Sequence, residues 1–140
     1  MRFLDSSVFL HAYLLPHRKL KPEEEKLKER AKKIIQRIDS GEEDVLITVI
    51  HVSEIVNMIE SWLGLQESIS ILARILSLKN ISIIEVNESD YEEALAISSR
   101  YNISINDAIA YLKMKENNIN EIYTFDKHFK NLPGIRIYRE

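Results

Sequence analysis

The sequence predicts a three-layer α/β/α fold, in which helices cover both faces of a mostly parallel central sheet of about five strands. Short apolar runs, such as VLIT at 45–48 and ISIIEV at 81–86, alternate with longer helical patterns. Strands without polar alternation have both faces buried, as the strands of parallel sheets do. With 140 residues the chain is long enough for one core, so we expect a single domain over residues 1–140.

Local signals justify the boundaries of these elements. Pro22 is a favoured first helical residue, and Gly41 ends the long amphipathic helix that begins there. Thr48 can cap the helix that follows the second strand, and Ser104 begins a capping-box pattern. The predicted elements are strand 1–5, helices 6–14 and 22–39, strand 45–48, helices 49–63 and 66–78, strand 81–86, helices 87–102 and 104–117, and strands 121–125 and 135–138 with a helical turn between them.

Composition excludes several classes of protein. The apolar and charged fractions, 45% and 29%, are those of a globular chain. Nineteen basic and 22 acidic residues give a net charge of −3, which argues against a purely electrostatic nucleic-acid binder. Cysteine is absent, which excludes disulfides, thiol nucleophiles and Cys-rich zinc sites. No signal-peptide pattern or membrane-spanning apolar stretch is present, so we expect a cytoplasmic protein without membrane contact.

Four carboxylates far apart in the chain are the candidate site. Asp5, Glu54 and Asp107 are lone charges in apolar stretches, and Asp126 follows the fourth predicted strand. Such a charge is costly unless a cation or hydrogen-bond donors offset it. Ligands of open parallel sheets bind at the carboxyl ends of the strands, where all four acids can meet. Hard oxygen ligands select Mg²⁺ or Mn²⁺, and one or two such ions suit phosphodiester hydrolysis.

Each acid also has a simpler interpretation. Asp5 and Asp126 can serve only as helix caps, and Asp107 as the acidic third position of a capping box. Glu54 lies opposite the apolar stripe of its helix, an orientation that fits either solvent or a cleft. His11 and His51 are interpreted as core or interface residues rather than ligands.

The order of four short motifs resembles PIN-domain nucleases, and among them the short VapC-type toxins of prokaryotes. The motifs are Asp-Ser-Ser after the first strand, Ser-Glu-Ile in a mid-chain helix, Asn-Asp-Ala opening a late helix, and Thr-Phe-Asp-Lys-His-Phe. The likeness spans about residues 3 to 138. It implies a Mg²⁺- or Mn²⁺-dependent endoribonuclease, often a homodimer, that acts on RNA and is inhibited by a small antitoxin protein.

The resemblance also assigns roles to residues. Asp5, Glu54 and Asp107 match the three central metal-binding acids, and Asp126 matches a fourth, more variable one. Ser6 and Thr124 match hydroxyl residues that support the ligands. We further consider Lys127 and His128 as RNA contacts, with a solvated turn as the alternative. Trp62, beside Met58 and Leu63, fits either the core or a groove or dimer face.

Two other functions remain open. The first is a PIN-like nuclease or RNA-binding protein of RNA processing rather than a toxin. The second is a phospho-signalling receiver, which also gathers acids at a sheet edge. A receiver needs an acidic pair after its first strand, where this chain has Asp5 alone.

Overall fold

The fold is described from a computed structural model, over residues 1–14 and 18–138. Its elements, in chain order, are β1 (Arg2–Leu4), α1 (Ser6–Tyr13), α2 (Pro22–Asp39), β2 (Val45–Thr48), α3 (Val49–Leu63), α4 (Leu65–Ser77), β3 (Ile81–Ile84), α5 (Glu88–Tyr101), α6 (Ile105–Glu116), β4 (Glu121–Tyr123), a 3₁₀ helix (Lys127–Asn131) and β5 (Arg136–Ile137).

The five strands form one sheet in the order β3-β2-β1-β4-β5, and every neighbouring pair is parallel. The predicted parallel α/β sheet is thereby confirmed. The receiver order is 2-1-3-4-5, so the receiver interpretation is wrong. The first strand of the chain lies at the centre of the sheet, between β2 and β4.

Strands β1 and β5 end one residue earlier than predicted, and β3 and β4 end two residues earlier because their partner strands end. Ile84, the last residue of β3, pairs with Thr48 at the end of β2. Tyr123, the last residue of β4, pairs with Leu4 at the end of β1. Beyond these pairs no strand pairing continues among the described residues, so residues 85–86 and 124–125 leave the sheet.

A hydrophobic core lies on each face of the sheet. Adjacent residues of a strand point to opposite faces, and accordingly Leu4 packs among residues of α1 to α4 whereas Phe3 packs among residues of α5 and α6. The first core includes Val8, Ile34, Ile55 and Ile71, and the second Ala94, Ile109, Met114 and Phe129. Helices therefore cover both faces, as the three-layer prediction requires.

The helix starts predicted at Pro22 and Thr48 are present, whereas at Ser104 only one of the two bonds of a capping box forms. Pro22 begins α2, and the Thr48 hydroxyl caps α3 by accepting the backbone N–H groups of Ile50 and His51. Gly64 separates α3 from α4 with a φ of 95°, in the left-handed region that glycine adopts without steric cost. No helix within residues 1–14 and 18–138 has the length and apolar character to cross a membrane.

Candidate metal-binding active site

The four predicted acids lie at the carboxyl edge of the sheet. Asp5 directly follows β1, and Asp126 precedes the 3₁₀ helix after β4. Glu54 is in the second turn of α3, which begins where β2 ends, and Asp107 is in the first turn of α6. Parallel strands present all their carboxyl ends on one side, so sheet topology brings distant parts of the sequence to one place.

Asp5 is held by hydroxyl groups. Its side chain is almost fully buried, and its Oδ2 accepts hydrogen bonds from Ser7 Oγ at 2.6 Å and from Thr124 Oγ1 at 2.7 Å. Asp5 occupies the N-cap position of α1 but makes no side-chain capping hydrogen bond, so the capping interpretation is wrong. Thr124 thus contacts the acid and also accepts the backbone N–H of Asp126 at 3.0 Å.

Glu54 faces the other acids rather than solvent. Ser6 Oγ donates to Glu54 Oε1 at 3.0 Å, and Asn106 Nδ2 donates to Oε2 at 3.0 Å. Ser6 and Asn106 are the chain neighbours of Asp5 and Asp107. The two hydrogen bonds therefore fix Glu54 between the segments that carry the other two central acids, which decides between the two orientations left open above.

Asp107, Asp126 and His128 are the tightest group of the site. One ligand atom from each lies within 4.8 Å of the other two. His128 Nδ1 is 3.1 Å from Asp126 Oδ1 and 3.5 Å from Asp107 Oδ2. Asp126 also caps the 3₁₀ helix, since its Oδ1 accepts the backbone N–H of His128 at 2.9 Å. Capping and a place in the acidic group are thus compatible for Asp126.

The pKa of Asp107 reflects the negative charges of the neighbouring acids. Asp107 as a whole is 8% exposed, and its backbone N–H donates to Ser104 Oγ at 3.1 Å, which caps α6. Burial, followed by the negative charges of Asp126 and Asp5, raises the pKa of Asp107 to about 6. Hydrogen bonds with Ser104 and His128 act in the opposite direction. The site therefore concentrates more carboxylate charge than its own donors offset.

His51 lies beside these acids, in the first turn of α3. It is fully buried, as the core interpretation requires, and its ring meets Phe3 edge to face at 5.2 Å. Its Nδ1 is 2.7 Å from Thr48 Oγ1, and its Nε2 is 4.0 Å from Asp5 Oδ1. Burial lowers the pKa of His51, against the attraction of Asp5 and Glu54. The Asn106 backbone favours the charged ring as well, yet Nε2 makes no hydrogen bond of normal geometry.

The donor set fits a divalent cation. Among the residues that the structure describes, no Lys or Arg nitrogen lies within 4.0 Å of the carboxylates of Asp5, Glu54, Asp107 or Asp126. Carboxylate oxygens are the ligands that Mg²⁺ and Mn²⁺ prefer, and the imidazole of His128 adds a nitrogen that Mn²⁺ accepts. A cation here would relieve the repulsion that raises the pKa of Asp107.

Two residues of the site, Ser7 and Asn106, were not singled out from the sequence, and His51 was interpreted there only as a core or interface residue. Ser7 and Asn106 stand inside the Asp-Ser-Ser and Asn-Asp-Ala motifs, next to residues that were, and that adjacency was a usable signal. His51 carried a weaker signal, namely its position three residues before Glu54 on the same helix. Lys127, by contrast, is exposed, and His128 turns towards Asp107 and Asp126.

Trp62 does not belong to the core. It is 45% exposed, and with Met58 it lines one side of an apolar groove of about 410 Å³. The other side comes from α1, α2 and the segment before α2. In the described residues the apolar lining consists of Leu10, Leu14, Leu20, Leu27, Met58 and Trp62.

Comparison with known proteins places these observations in a family. The family model of the PIN domain matches residues 2–135. The fold is similar to that of VapC20 of Mycobacterium tuberculosis, described as a toxin that cleaves the sarcin–ricin loop. That similarity has a TM-score of 0.68 and 20% identity, and it covers 90% of each chain. A toxin–antitoxin complex from Klebsiella pneumoniae is similar at a TM-score of 0.65 and 16% identity, over 97% of this chain and 96% of that one. No curated protein matches the sequence.

Proposed function

The chain belongs to the PIN-domain family, and we propose that it is an endoribonuclease that hydrolyses RNA phosphodiester bonds with Mg²⁺ or Mn²⁺. The main support is the meeting of Asp5, Glu54, Asp107 and Asp126 at one sheet edge without a nearby Lys or Arg in the described residues. We assign metal binding to these four acids, with one or two ions. Strands from both ends of the chain share one sheet, which supports a single domain over residues 1–140.

The four acids would bind the cation, and neighbouring polar residues orient the carboxylates. When bound, the cation supplies Lewis acidity towards a phosphate oxygen and towards an attacking water. Ser7 and Thr124 fix the carboxylate of Asp5, and Ser6 and Asn106 fix that of Glu54. Hydrolysis adds water across a P–O bond, giving a phosphate monoester and a hydroxyl group. Because water attacks phosphorus in line, the 2′-hydroxyl of RNA is not needed for the chemistry, and DNA cleavage is chemically allowed.

Basic groups near Asp126 support RNA as the substrate. Arg30 and Lys127 line, together with Thr124 and Asp126, a small hollow of about 190 Å³ beside the acids. Cationic side chains at such a rim contact the phosphates that flank the scissile bond, without reading sequence. We assign this role to Lys127, whereas His128 faces the acids and acts with them.

We propose further that the nuclease is the toxin of a type II toxin–antitoxin pair and works as a homodimer in the cytoplasm. The similar complex from Klebsiella pneumoniae contains a toxin with its antitoxin, which supports an antitoxin partner. The apolar groove beside Trp62 offers that partner a docking surface. Exposed apolar side chains on α4, namely Leu65, Ile69 and Leu76, support a second copy as another partner.

Cleavage of structured RNAs tests the proposal. We expect cleavage by the wild type in Mg²⁺ or Mn²⁺, loss of cleavage in EDTA, and loss in Asp5→Asn. Asp44→Asn is the matched control, because Asp44 is exposed and precedes β2 at the opposite edge of the sheet. Equal activity of wild type and Asp5→Asn would contradict the nuclease assignment.

The toxin role needs its own test, since a nuclease of RNA processing would pass the cleavage assay. Induced expression of the wild type should arrest growth, and Asp5→Asn should not. Normal growth despite cleavage in vitro would favour the RNA-processing alternative.

A further inference from the structure

His51 is a buried polar residue that none of the roles assigned so far uses. It stands where three acid-bearing segments meet. Its Nε2 lies 4.0 Å from Asp5 Oδ1, Glu54 is on the same helix, and the Asn106 backbone before Asp107 approaches the ring. Its Nε2 is buried without a hydrogen-bond partner in the described structure, a costly arrangement that calls for an explanation.

Thr48 decides which ring nitrogen of His51 carries the proton. The Thr48 hydroxyl oxygen accepts two backbone N–H groups, those of Ile50 at 3.1 Å and of His51 at 3.2 Å. A hydroxyl group has two acceptor lone pairs and one proton, so only the proton is left for a third partner. That partner is His51 Nδ1, at 2.7 Å. Nδ1 therefore accepts, and in the neutral ring the proton is on Nε2.

Nε2 lies 4.0 Å from Oδ1 of Asp5, the carboxylate oxygen that has no donor in the described residues. Both hydrogen bonds to this carboxylate in the described residues, from Ser7 and Thr124, end on Oδ2. Oδ1, the oxygen that faces His51, accepts none of them. The edge contact with Phe3 and the hydrogen bond to Thr48 fix the ring, so the direction of the Nε2–H bond is set by the fold.

We propose that His51 is a positioning residue for Asp5: its Nε2 lies 4.0 Å from Oδ1, farther than a hydrogen bond, and its N–H group becomes the donor for Oδ1 when Asp5 moves to bind the cation, while Ser7 and Thr124 hold Oδ2. Three donors fix the plane of a carboxylate, whereas two on one oxygen leave it able to rotate. Thr48 acts through His51, by holding the ring in the tautomer that has a donor on the Asp5 side. This role rests on the proposed function, in which Asp5 binds the cation. Donors around a ligating side chain orient it and raise metal affinity.

Mn²⁺ binding, measured by titration calorimetry on the purified full chain, separates this role from packing. His51→Phe keeps a buried ring but has no donor, and we expect it to bind Mn²⁺ roughly 10- to 100-fold more weakly than the wild type. His51→Gln places an amide donor on the same side, and it should recover most of that loss. Circular dichroism and thermal unfolding establish that both variants are folded.

The tautomer is measured in the wild type, so it does not depend on a variant that folds. Long-range ¹H–¹⁵N spectra of protein labelled with ¹⁵N-histidine should show the His51 proton on Nε2 in EDTA, and a change of the Nε2–H signal when Mg²⁺ is added. Thr48→Val should lose the preference for this tautomer, and Thr48→Ser should keep it.

Different results overturn different statements. A proton on Nδ1 in the wild type, or Mn²⁺ binding by His51→Phe equal to that of the wild type, would overturn the role of His51 and leave the nuclease assignment intact. Failure of the wild type itself to bind Mn²⁺ would contradict the proposed function, and the role of His51 with it.

Discussion

The side-chain amide of Asn106 donates a hydrogen bond to Oε2 of Glu54 at 3.0 Å and thereby joins the start of α6 to the second turn of α3. Asp107 is the next residue in the chain. Two consecutive residues thus supply an acid of the site, Asp107, and the donor that orients another acid, Glu54. The pair explains how an acid on the polar side of its helix becomes part of a cleft.

Asn106→Ala removes this donor, and we expect Mn²⁺ affinity to fall about 10-fold because the carboxylate of Glu54 is free to rotate. The free energy of unfolding should change by no more than about 1 kcal/mol, since the bond is only partly buried. Calorimetric titration with Mn²⁺ measures the first quantity and urea denaturation the second. Asn120→Ala, at an exposed residue before β4, serves as the control. Equal affinities in the two variants would contradict a role for Asn106 in orienting Glu54.

The raised pKa of Asp107 predicts how the stability of the metal-free protein depends on pH. The pKa is about 6 in the folded protein against an ordinary value of 3.8, so folding favours the protonated form. The stabilisation from this group is fully present below the ordinary value and is lost as the pH rises through about 6. Asp107→Asn is neutral throughout. In EDTA, the Tm of Asp107→Asn minus that of the wild type should therefore increase from about pH 4 to about pH 7.

The lowered pKa of His51 makes stability change with pH in the opposite direction. An unfolded His gains a proton as the pH falls through its ordinary range, so this contribution destabilises the fold at lower pH. Both proteins contain His51, so this contribution cancels in the difference. Adding Mg²⁺ should raise the Tm of the wild type more than that of Asp107→Asn. A difference in Tm that does not vary with pH would contradict the electrostatic description of Asp107.

Ile109 anchors the helix that presents Asp107. Its side chain is fully buried in the core between α5, α6 and the sheet. Ile109→Ala should lower the free energy of unfolding by about 2 to 5 kcal/mol, through lost burial and the cavity left behind. Leu95→Ala removes an aliphatic side chain of the same size at an exposed position of α5 and should cost no more than about 0.5 kcal/mol. Urea denaturation compares the two, and similar losses would show that α6 does not depend on this core.

Lys127 is exposed beside the site, and we expect Lys127→Ala to weaken RNA binding by a similar factor for all sequences. The slope of log affinity against log salt concentration should decrease by about one, the value for the loss of one phosphate contact. Fluorescence anisotropy measures this in the Asp5→Asn background, where cleavage does not interfere. Lys79→Ala, at the opposite edge of the sheet before β3, is the control. Equal weakening by both variants would indicate non-specific charge effects only.

Most of the fold could be predicted because its signals are local. Continuous apolar strands, Pro22, Thr48 and Gly64 act on their own neighbourhoods, and the structure has the predicted elements with small changes at their ends. The two strands that end two residues earlier than predicted, β3 and β4, end where their partner strands end. A partner's end is not visible in the strand's own sequence.

The location of the site could be predicted as far as the sheet topology could. The parallel direction of the strands takes Asp5, Glu54, Asp107 and Asp126 to one edge. Hydrogen-bond partners from distant elements could not be predicted in the same way. A helical wheel gives the direction of Glu54 but does not show that Asn106 covers that side, and nothing near His51 in sequence indicates that Asp5 lies beside it.

Because β1 lies between β2 and β4, the acidic site cannot assemble during protein synthesis until β4 has been made. Asp5 is translated 119 residues before one of its donors, Thr124. Until β4 has left the ribosome, β1 has a neighbour on one side only, and Asp126 has not been added. A nascent chain that has not yet reached β4 therefore lacks both a donor to Asp5 and the acid Asp126.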